Sequence, residues 1–133
     1  MGAWGVGSFE NDDALDWVAS LVESDGVEAI AEAFEPLLVN AGGDYLEAPD
    51  CSIGLAAAEA VAALGGRPSP ELPDEVKQWA AERLGAAGPE LVSNARQVIA
   101  AVTMGSELKE LWEESDEYSA WQDRVADLSR RLA

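Results

Sequence analysis

The sequence predicts an all-α fold: a compact, irregular bundle of six or seven helices with a glycine- and tryptophan-rich N-terminal segment packed on it. Three observations predict it. Apolar residues recur at three- and four-residue spacing in nearly every segment. No stretch alternates with period two, so no strand is expected. Asn, Asp, Ser or Pro stands ahead of each apolar stripe, where a helix start needs a cap or a preset φ. At 133 residues with 48% apolar content, one domain covering 1–133 is expected. The turn-rich connector at 65–73 is the best candidate for a sub-boundary.

The elements follow in order. Asn11 or Asp12 caps a first helix whose stripe is Ala14, Trp17, Val18 and Leu21, with acids in the opening turn to suit the macrodipole. Ser24 or Asp25 starts a second, burying Val27, Ile30, Ala31, Phe34 and Leu38. Pro36 should kink that helix or end it early, since it supplies no N–H. NAGGDYLEAPD reads as a loop. Asp50 is the expected N-cap of a third helix, alanine-rich on nearly all faces and therefore central. Gly65-Gly66 ends it.

Pro73 opens a fourth helix carrying Val76, Trp79, Ala80, Arg83 and Leu84. Gly88-Pro89 opens a fifth, with Leu91, Ala95, Val98, Ile99 and Val102 on one side. Ser106 caps a sixth with Leu108, Leu111 and Trp112. A break at Ser115-Asp116 precedes the last seam of Tyr118, Trp121, Val125, Leu128 and Leu132. Asp127 and Arg131 form a favourable i, i+4 pair.

The formal charge is −18 and it is unevenly spread. Thirteen acids and no Lys or Arg precede Arg67; from Arg67 onward there are thirteen acids and eight bases. Such a field repels phosphates and anionic membranes and draws basic proteins. Neither a nucleic acid nor a membrane is expected as a partner. With no secretory leader pattern and one cysteine, an intracellular, cytoplasmic chain is expected.

Catalytic signatures are scarce. The chain has no histidine, which removes the commonest general base and metal ligand. Gly5-x-Gly7 lacks the further glycine and the basic residue of a nucleotide loop, and reads as a tight backbone path. Asp12, Asp13 and Asp16 share a helix face. They read either as a hard-metal site, completed by Glu10 or a distant acid, or as a cap and dipole partners. Glu59 stands alone in AAAEAVAAL, so its carboxylate must be paired, hydrogen-bonded or protonated. Amides of the head, Arg67, Arg83 and Arg96 are its expected partners, and a structural role is favoured over acid–base chemistry. Cys51 reads as a small, unreactive residue near the surface.

The run Trp4-Gly5-x-Gly7-x-Phe9-x-Asn11-Asp12-x-Ala14-x-Asp16-Trp17 resembles the opening of a bacterial family catalogued as domain of unknown function 4259. Tyr45 to Pro49, Leu55 to Glu59, and Ser106-Glu107-Leu108 with Leu111 to Ser115 are similar too. The resemblance implies a small, stand-alone bacterial cytoplasmic protein, brings no activity, and places recurring polar residues at Asn11, Asp12, Asp16 and Glu59.

The expected function is a non-catalytic binding module, toxin-neutralising or regulatory, that engages a basic protein and needs no cofactor. Trp4, Asn11, Asp12, Asp16 and Glu59 are its candidate binding residues. The alternative is a metal-dependent hydrolase built from Asp12, Asp16 and Glu59. Nucleic-acid mimicry is the least favoured.

Overall fold

The computed structural model describes residue 5 and residues 7–24, 27–40 and 45–132. Seven helices run through them, with no strand among the described residues: α1 (Asp12–Val22), α2 (Glu28–Asn40), α3 (Ala48–Leu64), α4 (Asp74–Ala81), α5 (Pro89–Met104), α6 (Glu107–Glu113) and α7 (Tyr118–Arg131). The all-α expectation holds. So does the break before the last helix: the Ser115 hydroxyl donates to the Trp112 carbonyl and accepts from the Glu117 amide, closing α6.

α3 is the axis. From Cys51 to Leu64 every residue except Ile53 is buried, so the helix has no solvent face. Each of the other six helices touches it. Alanine side chains let those neighbours approach closely, and Gly54 sets the tightest crossing. A Cβ added there would overlap Leu37 Cδ1 of α2 and lie 3.2 Å from Val98 Cγ1 of α5. α2 and α5 thus meet α3 at one level, where a missing methyl makes room.

Several boundaries differ from the sequence reading. Of the two residues the sequence offered as the cap of α1, Asn11 serves: its Oδ1 accepts from the Ala14 amide at 2.8 Å. α2 begins at Glu28, after the Val27 carbonyl accepts from Ile30 and Ala31. Asp25 lies outside the described residues. α2 buries Ile30, Ala33, Phe34 and Leu37, while Ala31 is exposed and Leu38 half-buried. The buried stripe is therefore one residue away from Leu38.

Pro36 does not end α2, which continues to Asn40. The backbone bond it forgoes would go to Glu32, on the exposed side of the helix, where water can serve that carbonyl. α3 starts earlier than expected. Glu47 is its N-cap, Pro49 sits in its first turn, and Asp50 is inside the helix. α4 stops at Ala81, leaving Leu84 63% exposed instead of on the apolar stripe. The chain turns there through Gly85, at φ +85°, whose amide donates to the Leu64 carbonyl at 3.0 Å. Cys51 is fully buried, not near the surface, and burial pushes its thiol up to about 11.

Gly54→Ala should destabilise the protein. Better helix propensity contributes about 1 kcal/mol, but displacing Leu37 costs ~1–3 kcal/mol. Urea denaturation should show a net loss, and the loss should shrink when Leu37→Ala is added. A stabilised single variant contradicts this account of the crossing.

Candidate functional site

Clefts interrupt the surface among the described residues, and two of them flank the N-terminal head. The head is a turn. Glu10 N donates to Gly7 O at 3.1 Å, and the Glu10 carboxylate folds back to accept from Gly7 N at 3.0 Å. A Cβ on Gly7 would come within 2.6 Å of Glu10 Oε1 and 3.2 Å of Glu71 Oε2, so glycine there admits two carboxylates. Phe9 anchors the turn in the core at 8% exposure. Trp4 lies outside the described residues.

The first cleft, about 570 Å³, lies between the head, the connector and α7, with Glu59 in its wall. Glu59 points to α7, where Arg131 holds it with both terminal nitrogens: Nη2 to Oε1 at 2.8 Å and Nη1 to Oε2 at 3.1 Å. Arg131 also donates from Nε to Asp127 at 2.9 Å and from Nη1 to the Arg67 carbonyl at 3.3 Å. Nearby, Arg124 pairs with Glu71, joining the middle of α7 to the connector.

The partner of Glu59 is therefore Arg131, and none of the partners the sequence suggested. Arg67 contributes only its carbonyl to this network. The Arg83 guanidinium lies 4.7 Å from the Trp79 ring centre. Arg96 lines a third groove, between α5 and α7. The i, i+4 spacing of Asp127 and Arg131 was visible in the sequence, but the distance of Glu59 from Arg131 along the chain concealed the triad.

Burial raises the Glu59 carboxyl above its ordinary value. Arg131 opposes that shift, and Asp127 and Glu71 add to it. This is a structural ion pair with its counter-ion in place.

The second cleft, about 230 Å³, lies on the other side of the head. α1, α3 and α6 all begin at its edge, and Leu55, Leu111, Trp112 and Trp121 form its apolar wall. The Trp112 and Trp121 rings are stacked, 6.5 Å between centres. The Glu107 carboxylate accepts from the Ala48 amide at 2.8 Å, and the Glu107 amide donates to the Leu46 carbonyl at 2.9 Å. Those two bonds fix α6 against the start of α3.

The predicted site residues do not assemble into one centre. Asn11 is a buried cap beside the second cleft. Asp12 and Asp16 are exposed on α1 and line neither cleft, whereas Glu59 belongs to the first. Among the described residues, no group of three acids or cysteines stands close enough to hold a metal ion.

A different arrangement appears on the outside. Asp12 and Asp16 of α1, and Glu28, Glu32 and Glu35 of the adjoining α2, are all exposed. None of them takes part in an ion pair among the described residues. The ion pairs instead join acids and bases of the second half, apart from the one that Glu59 makes.

The family model described as "Domain of unknown function (DUF4259)" matches residues 2–124 of the 133. The chain belongs to this family. No curated protein and no solved structure matches it. Within the DUF4259 chain, Glu59 lies inside the matched region, while Asp127 and Arg131 lie beyond its end. No described helix is long and apolar enough to cross a membrane.

Two outcomes test the Glu59 pair. Arg131→Ala should cost ~3–5 kcal/mol in chemical denaturation, because it leaves a buried carboxylate without its cation. The joint replacement Glu59→Leu with Arg131→Leu should cost far less than the single change. Equal losses would place the stabilisation in the packing of α7 and not in the charges.

The second outcome concerns pH. The fold holds the Glu59 proton more tightly than the unfolded chain does. That contribution is fully present below the ordinary value of 4.5 and is lost as pH rises through the folded value. Glu59→Gln removes this titration. The stability difference should therefore move in favour of the variant as pH rises from about 4.5 towards neutrality. A constant difference, or movement the other way, contradicts it.

Proposed function

We propose that this bacterial, cytoplasmic protein is a non-catalytic binding module that engages a basic protein through the outer surface of α1 and α2, as a toxin-neutralising or regulatory partner. One observation carries the reading: the five exposed acids of those helices form no ion pair among the described residues. Elsewhere some acids have a cation beside them, with Lys109 on Glu113, Arg124 on Glu71, and Arg130 and Arg131 on Asp127, while others, such as Glu82, Glu90 and Asp123, are exposed without one among the described residues.

A surface left uncompensated keeps its full field. At ionic strengths where the Debye length is ~10 Å, that field speeds and orients encounter with a positive partner. Repulsion among the five acids costs little because they are solvated. A bound basic surface would relieve it.

The test is capture from bacterial lysate with the purified chain, washed at low and high salt. A basic protein should be retained at low salt and released at high salt. Neutralising Asp12, Asp16, Glu28, Glu32 and Glu35 to amides should abolish its capture. Neutralising five acids of the 110–117 and 123–127 segments should not. If both variants lose the same protein, or neither does, the α1–α2 surface is not the contact.

A further inference from the structure

We infer that the groove between α5 and α7 binds an apolar monocarboxylate, an unbranched acyl chain whose carboxylate pairs with Arg96. The groove shares no residue with the α1–α2 surface, so this site stands apart from the reading above.

Its shape comes from two helix faces. α5 contributes Arg96, Ile99, Ala100 and Thr103, the spacing of one side of a helix, and α7 contributes the side from Tyr118 to Ser129. Ile99, Trp121 and Val125 are buried beneath the groove, while Ala100 and Ala126 are exposed and too small to fill it. The space is about 470 Å³, within the ~300–1,000 Å³ of small-molecule sites, and its lining is mostly apolar with a few polar groups. The α7 side runs ~16 Å, which leaves a mean cross-section of about 30 Å². A partner helix, ~10–12 Å across, is too wide to lie in that section, whereas an extended alkyl chain fits.

The sign of the ligand follows from where the bases are engaged. Acids hold Lys109, Arg124, Arg130 and Arg131, and Arg83 donates to the Trp79 carbonyl at 2.9 Å. Arg67, Lys77 and Arg96 form no ion pair among the described residues. Of these three, Arg96 lines the groove, and the other two line none of the clefts described above.

Among the described residues, no acid lines this groove, whereas both clefts beside the head have acids in their walls. Asp127, next to Ala126, is engaged by Arg131 and belongs to the first cleft, and Asp123 is exposed outside the lining. In a chain of charge −18, the groove is thus a place where an anion meets a cation that no acid of the chain has taken.

One guanidinium balances one negative charge; a dianion would keep an unpaired charge in a negative field. Arg96 stands at one end of the α5 face and Thr103 at the other, with Ile99 and Ala100 between them. The Thr103 hydroxyl donates back to the Ile99 carbonyl at 2.9 Å, so that end of α5 offers no free donor. Gln122 and Ser129 add neutral polar groups on the α7 side. A carboxylate at the Arg96 end therefore leaves its tail over Ala100 and the buried floor.

The experiment titrates sodium hexanoate, sodium octanoate and neutral 1-hexanol into the ¹⁵N-labelled protein. Backbone amide resonances of Ala100 and Ala126 should shift saturably with hexanoate, with a Kd on the order of 1 mM. Octanoate should bind several-fold tighter because it buries two more methylenes, and 1-hexanol should bind more weakly than hexanoate. Arg96→Gln should weaken hexanoate about two- to five-fold, the range of an exposed ion pair, and leave 1-hexanol unchanged. Ala100→Leu with Ala126→Leu, both at exposed positions, should abolish the response while urea denaturation stays unchanged.

Equal affinity for hexanoate and 1-hexanol, no saturable shift, or shifts centred on Ser52 and Leu111 of the second cleft would overturn the inference. So would indifference to Arg96→Gln, or binding that survives the paired leucines.

Discussion

Everything in this fold is arranged around one helix that has no outside. α3 is buried on every face between Cys51 and Leu64, and six of those fourteen residues are alanine. Small side chains lower its amphipathicity nearly to nothing, so the hydrophobic effect alone does not choose which neighbour lies where. Shape chooses. At Gly54 both α2 and α5 close in, through Leu37 and Val98. The clefts follow from the same geometry. One opens at the start of α3, beside Ala48, Ser52 and Leu55, and another along its later half, at Glu59.

Glu59 is the polar exception on that axis. A buried carboxylate is expensive, and its pair with Arg131 offsets the cost without making the arrangement better than an apolar one. What the pair contributes is position. Arg131 is the last residue of α7, and its guanidinium reaches Glu59, Asp127 and the Arg67 carbonyl together. A helix held by apolar contacts alone can slide along its neighbours. A two-toothed ion pair at its end permits one register.

The same economy of cations shapes the surface. With eight bases for twenty-six acids, each arginine fastened to an internal junction is one fewer to screen the exterior. Arg124, Arg130 and Arg131 are all committed within or beside the Glu59 cleft. α1 and α2 have no base of their own, and among the described residues none is paired with their exposed acids.

Composition and spacing by themselves determined the helix class, the central place of the alanine-rich helix, the turn at Ser115, and the asymmetry of charge. Each depends on contacts within a few residues or on simple counting. Asn11 as a cap belongs with them, because a cap and its amide are three residues apart. The tertiary structure alone decided the partner of Glu59, the depth of Cys51, the separation of Asp12 and Asp16 from Glu59, and the opening that Ser52 faces. Those depend on which distant segments meet, and a helix without a polar face gives the sequence no periodic signal from which to read its neighbours.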